Sequence, residues 1–165
     1  MIVSLTGFMG SGKSSTGREL SELLSYPFVD LDDYIVHKTG HSIADIFKDG
    51  EERFRAVEAE AVRDIITMNI ITGGDLVLSL GGGTFTTAPI RDLILEKTCC
   101  IYLKAGLGTC LGRTGKDGSR PMLEGDVRSL YESRLPLYEK ARFTVSTEGR
   151  TARETAEEII LNLTD

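Results

Sequence analysis

Gly7-Phe8-Met9-Gly10-Ser11-Gly12-Lys13-Ser14 stands directly behind the apolar run Ile2-Val3-Ser4-Leu5. The pattern is G-x-x-x-x-G-K-[ST], the phosphate-binding P-loop. Glycines let the backbone curl until successive N–H groups point into one concavity, a nest for phosphate oxygens. Lys13 adds a mobile positive charge for the β- and γ-phosphates, and the Ser14 hydroxyl is a ligand type suited to Mg²⁺. The segment 15–24 reads as a helix whose N-terminal dipole favours the same anion. A buried strand, a glycine-rich turn and an amphipathic helix in that order predict a nucleoside triphosphate site, with Gly10, Ser11, Gly12, Lys13, Ser14 and Ser15 as its phosphate-side residues.

Outward from that loop, apolar strand candidates fall at 2–5, 28–30, 76–80, 100–103 and 143–145, with helical stretches between them and a last helix over 152–163. Apolar strands alternating with helices predict an α/β domain with a parallel sheet covered on both faces. Two segments break the alternation. Residues 33–61 are mostly helical and too long for a simple crossover; 114–126 is polar and contains glycine, aspartate and arginine. Insertions at such places usually cap the substrate and the nucleotide.

The 165 residues suit a single domain, with 41% hydrophobic and 27% charged residues, an ordinary soluble composition. No apolar run approaches a membrane span, and the N-terminus lacks a basic leader and cleavage site, so a cytoplasmic protein with no membrane partner is expected. Cys99, Cys100 and Cys110 lack metal-ligand spacing and read as buried free thiols. His37 and His41 read as solvent-facing. The net charge of −6 argues against a nucleic-acid partner. The acidic surplus is assigned to helix surfaces at Glu51-Glu52, Glu58-Glu60 and Glu154-Glu158.

Asp30-Leu31-Asp32-Asp33 follows the second strand, where carboxylates face the ligand crevice of an open α/β sheet. One such group can hold Mg²⁺ and another can accept a proton from an attacking hydroxyl. Asp33 is expected to cap a helix over 34–38, leaving Asp30 and Asp32 for chemistry. Arg55 and Glu58 stand at i,i+3, so the carboxylate can orient the guanidinium, although on an exposed helix such a pair is ordinary surface pairing. Gly81-Gly82-Gly83 behind a strand is either a flexible turn or a set of bare N–H groups for substrate oxygens. Arg120 in the polar insertion suits a flap that reaches a transferring phosphate. Arg134 lies two residues before Pro136, whose bend can aim it inward.

Together these stretches resemble shikimate kinases over essentially the whole chain: GFMGSGKS at 7–14, DLDD at 30–33, SIADIF at 42–47, FR at 54–55, LGGG at 80–83, RPML at 120–123 and RLPLY at 134–138. The resemblance implies a P-loop kinase core with a five-stranded sheet of order 2-3-1-4-5, a substrate-binding insertion (33–61) and a lid (114–126). It implies transfer of the ATP γ-phosphoryl group to the 3-hydroxyl of shikimate, a step of aromatic biosynthesis, by a monomer. Carried over by position, Lys13 and Ser14 handle phosphates and Mg²⁺, and Asp30 supports the metal. Asp32 binds substrate hydroxyls and is the candidate base. Arg55 and Arg134 clamp the carboxylate, Phe47 and Phe54 wall the ring, and the amide of Gly82, flanked by Gly81 and Gly83, meets a hydroxyl. Arg120 is the lid arginine. Family members hold adenine between an arginine ahead of the lid, here Arg113, and a late loop that often carries Arg-Xaa-Pro. This chain has Gly149-Arg150-Thr151-Ala152 there, with Arg150 but no proline.

Rival readings are a gluconate-type kinase, a nucleotide-binding module without catalysis, and a GTPase. The paired arginines with the triple glycine favour shikimate over gluconate. Lys13, Asp30, Asp32 and Arg120 together argue for catalysis, and no N-K-x-D guanine signature is present.

Overall fold

The first apolar run becomes β1 (Ile2–Thr6), and all five of its residues are buried. In the computed structural model it is the middle strand of a parallel sheet ordered β2-β3-β1-β4-β5, with β2 (Phe28–Asp30), β3 (Leu76–Ser79), β4 (Cys99–Lys104) and β5 (Phe143–Ser146). Residues 1–114 and 126–165 are described. The expected lid therefore lies outside the described residues except for Thr114 and Asp126, and Arg120 lies outside with it.

Successive strand residues point to opposite faces, and here both faces are apolar, which is why the strands read as continuous hydrophobic runs. Val3, Leu5, Val77, Ile101 and Leu103 pack on one side with Leu20 of α1 (Lys13–Leu24) and Ile159 of α8 (Ala152–Thr164). Ile2, Leu76, Leu78, Cys100 and Tyr102 pack on the other. Helices α4 (Glu51–Thr72), α5 (Ala88–Lys97), α6 (Leu107–Thr114) and α7 (Val127–Tyr138) contribute Val62, Ile94, Cys110 and Tyr138 to that second core. The first insertion is helical, as expected, with α2 (Leu31–Thr39) and α3 (Ile43–Phe47) packed against α4.

Because every strand runs the same way, their C-terminal ends share one edge. Register fixes which residues meet there: Asp30 lies beside Ser79, and Ser79 beside Leu5. The glycine-rich loop, the aspartates and the triple glycine therefore emerge side by side.

The helix after β2 corrects one expectation. Asp30, not Asp33, is the cap: its backbone is extended (φ −92°, ψ 123°) and its carboxylate accepts from the Asp33 N–H at 3.1 Å. The strand end itself supplies the non-helical conformation a cap requires, so the helix starts at Leu31 and Asp33 falls inside its first turn. His37 and His41 are exposed, and the three cysteines are buried and free. Among the described residues no helix is long and apolar enough to cross a membrane.

Candidate active site

The phosphate loop spans the gap between β1 and α1. Gly10 adopts φ +81°, and a Cβ there would sit 2.4 Å from the Cys110 carbonyl oxygen, so both conformation and space demand glycine. Lys13 folds back over the loop, donating to the carbonyls of Gly7 (2.8 Å) and Phe8 (3.0 Å). It is 8% exposed. The Ser14 hydroxyl donates to Asp30 Oδ2 at 2.6 Å, so the two residues assigned to a metal stand together, and Asp30 caps α2 with its other oxygen.

A cleft of about 510 Å³ opens over this loop, floored by Gly10, Gly12, Lys13 and Ser14 and flanked by Asp30 and Arg113. A second, of about 390 Å³, lies beside it where the first insertion meets the triple glycine and α7, between Phe47, Phe54, Arg55, Glu58 and Arg134. The two clefts share Asp32, Gly81 and Gly82. A phosphoryl donor in one and an acceptor in the other would meet at Asp32 and the triple glycine.

The second cleft brings two arginines, Arg55 and Arg134, to one space. Arg55 donates through Nη1 to Glu58 Oε1 at 2.8 Å, and Glu58 Oε2 accepts from the Thr84 hydroxyl at 2.8 Å. This overturns the surface assignment of Glu58, whose side chain is 3% exposed. A carboxylate with both oxygens bonded is tolerated in the interior, and it locks the guanidinium in place. Arg55 also lies over the Phe54 ring at 5.1 Å, and Phe54 stacks on Phe47 at 4.4 Å. Its guanidinium reaches the triple glycine, where a Cβ on Gly83 would fall 2.2 Å from Nη2. Arg134 comes from the opposite wall to Gly82, with Nη1 3.7 Å from a Cβ built there. It is 5% exposed and, among the described residues, pairs with no carboxylate. Arg134 also lies over the Phe8 ring at 5.9 Å, and a buried cation without a counter-ion is costly.

A third cavity, of about 250 Å³, lies on the far side of the loop between Ser11, Ser15, Arg113, Thr147 and Arg150. Arg113 donates to the carbonyls of Gly10 (3.2 Å) and Ser11 (3.0 Å) and to the Thr147 hydroxyl (3.2 Å), tying α6 to the phosphate loop and the late loop. Glu148 accepts from the Gly106 N–H (2.6 Å) and the Thr109 hydroxyl (2.8 Å). These two bonds hold its carboxyl below the usual range.

Among the residues the sequence nominates, Lys13, Ser14, Asp30, Asp32, Phe47, Phe54, Arg55, Gly81, Gly82, Gly83 and Arg134 meet around the first two clefts. Arg113 and Arg150 meet at the third. Thr84, Tyr138 and Thr147 were not nominated. Thr84 directly follows the glycines and Tyr138 is one helical turn past Arg134, so adjacency to the motifs is their signal in the sequence; Thr147 carries none.

A phosphate loop opening on a shared edge with a buried, arginine-lined acid cleft defines a P-loop kinase acting on a small anionic acceptor. The shikimate kinase family model matches residues 9–164. A shikimate kinase of Thermus thermophilus is 46% identical over 168 residues, covering 98% of this chain and 89% of the relative. Among solved structures, shikimate kinase from Acinetobacter baumannii in complex with shikimate superposes with a TM-score of 0.92 at 35% identity, covering 99% and 92% of the two chains. The Aquifex aeolicus shikimate kinase gives 0.87 at 31% identity, covering 99% and 96%. The chain belongs to the shikimate kinase family and is an ATP-dependent kinase.

Proposed function

We propose that this kinase transfers the γ-phosphoryl group of ATP to the 3-hydroxyl of shikimate, giving shikimate 3-phosphate. The observation that carries this reading is Arg134, a buried guanidinium unmatched by any carboxylate among the described residues, facing Arg55 across a cleft that joins the phosphate loop at Asp32. Two guanidinium groups suit one planar carboxylate, and Asp32 with the glycine amides suits ring hydroxyls. That a relative of 35% identity and TM-score 0.92 is described in complex with shikimate supports the same acceptor.

In this reading the ATP phosphates lie along residues 10–15, with Lys13 turning from the loop carbonyls to the β- and γ-phosphates. Arg113 and Arg150 border the adenine. The Ser14 hydroxyl and the Asp30 carboxylate form a hard-oxygen pair that fits Mg²⁺. Among the described residues no three His, Cys, Asp or Glu side chains gather as ligands. Bound there, the ion would neutralise charge on the β- and γ-oxygens. Phe47 and Phe54 wall the acceptor ring while Arg55 and Arg134 hold its carboxylate. The 3-hydroxyl oxygen then bonds to the γ-phosphorus as the bond to the bridging oxygen breaks. ADP leaves with that electron pair, and the hydroxyl proton passes to Asp32. Arg120, outside the described residues, is assigned to the transferring group. The protein acts as a monomer of the cytoplasm in this reading, a setting in which its buried free thiols persist reduced.

The test is ADP release with shikimate, with gluconate and with no acid. Release should depend on shikimate. Equal release without an acid, or a preference for gluconate, would overturn the proposal.

A further inference from the structure

Each carbonyl of the triple glycine accepts a hydrogen bond from the protein, by two different means. Gly81 O accepts from the Thr84 N–H (3.3 Å), and Gly83 O accepts from the Thr86 N–H (3.1 Å) and hydroxyl (2.6 Å). Both are local bonds of the short 3₁₀ turn Thr84–Thr86. Gly82 O alone relies on a distant side chain, accepting from the Tyr138 hydroxyl at 2.5 Å across 56 residues of sequence. Among the described residues no peptide bond is cis, so a carbonyl held on one side sends the next N–H to the other. The N–H groups of Gly82 and Gly83 meet no protein acceptor among the described residues, and both residues line the acid cleft.

We propose that Tyr138 is a positioning residue for the acceptor substrate: its hydroxyl fixes the Gly82–Gly83 peptide so that the glycine amides are presented to the acid's oxygens. The assignment rests on the reading of the second cleft as the shikimate site. The bond from the Thr84 N–H to Gly81 O closes a turn around the Gly82–Gly83 peptide, but with glycine at both central positions that peptide can still flip between turn types. Tyr138 supplies the restraint from a rigid place. It ends α7, it is fully buried, and its ring packs beside Tyr102 at a centroid distance of 5.1 Å. Burial pushes the phenol up to about 12 against the pull of Arg134, so it remains a neutral donor at neutral pH. Arg134 lies one turn earlier on the same helix. A single element thus delivers the group for the carboxylate and the group that sets the amides for the hydroxyls, an arrangement that preorganises the cleft before substrate arrives.

Tyr138→Phe removes the hydroxyl and keeps the packed ring. With one uncharged hydrogen bond lost, the KM for shikimate and its Kd by calorimetry should rise about three- to tenfold, while the KM for ATP stays unchanged. Amide resonances of Gly82 and Gly83 should shift when shikimate saturates the wild-type enzyme, and shift less in the variant. Equal changes in both KM values, or unchanged shikimate affinity, would overturn the assignment. So would silent Gly82 and Gly83 amides in the wild type, a result that holds whether or not the variant folds. If wild-type protein neither binds nor phosphorylates shikimate, the reading of the cleft has failed instead.

Discussion

Gly83→Ala tests the acid clamp without touching either arginine. The backbone at Gly83 (φ −103°, ψ −2°) is one alanine adopts freely, so the substitution adds a methyl group and no backbone strain. That methyl would lie 2.2 Å from Arg55 Nη2, 2.7 Å from Cζ and 2.8 Å from Nη1. Unbonded heavy atoms settle near ~3.5 Å, so the guanidinium must retreat by more than ~1 Å. It is the far end of a long side chain and can shift, at a cost in its bond to the buried Glu58, so the fold should survive with a Tm lowered by several degrees. Glu58 keeps its bond from Thr84. What is lost is the aim of Arg55 at the acid. A charge-assisted contact contributes about 1.5–3 kcal/mol, or roughly tenfold to a hundredfold and more in affinity. The assay is coupled ADP release with each substrate varied at saturation of the other, with Gly74→Ala as a control where the nearest atom, Thr72 Oγ1, is 3.8 Å away. The expected result is a KM for shikimate raised at least tenfold with the KM for ATP near wild type. An unchanged KM for shikimate, or an equal rise for ATP, would refute the clamp at Gly83.

Arg134→Lys keeps the charge but removes the planar fork; by calorimetry, shikimate binding should weaken on the order of tenfold to a hundredfold with ATP binding intact, and equal losses would mean general damage. Asp32→Asn should lower kcat by about 10²–10⁴-fold with MgATP affinity unchanged; a drop of only a few-fold would make Asp32 a positioning group rather than a base. Burial pushes the Cys100 thiol up to about 12 and raises Cys99 and Cys110 as well. A raised thiol pKa leaves almost no thiolate at pH 8, so a disulfide reagent should react slowly with native enzyme and release three equivalents on unfolding; fast reaction of a native thiol would contradict the burial.

The sheet was legible because its central strands β1, β3 and β4 are buried on both faces, so apolar runs mark their position, and every strand end lies within a residue of the expected one. The phosphate loop was legible because its chemistry is local, all of it within Gly7–Ser14. Helix starts were less so: Asp33 offered a plausible cap, and only the extended backbone of Asp30 at the end of β2 decides the matter. Glu58 looked like surface charge because it sits in the run Glu58-Glu60, and its burial depends on Thr84, 26 residues away. The contacts of Tyr138 with Gly82, and of Arg113 with Thr147, join segments 56 and 34 residues apart. No periodicity or local motif encodes contacts of that kind. The packing of α7 against the triple-glycine loop, and of α6 against the late loop, creates them.

The most direct measurement is of the product itself. Purified enzyme is incubated with ATP, Mg²⁺ and shikimate, and the products are followed by phosphorus–proton correlation NMR. The expected result is one new phosphate monoester per ADP formed, with its phosphorus coupled to the proton on C3 of the ring. A phosphate on another hydroxyl, or ADP accompanied only by inorganic phosphate, would contradict the assignment of Arg55, Arg134 and Asp32 to holding shikimate with its 3-hydroxyl toward the phosphate loop.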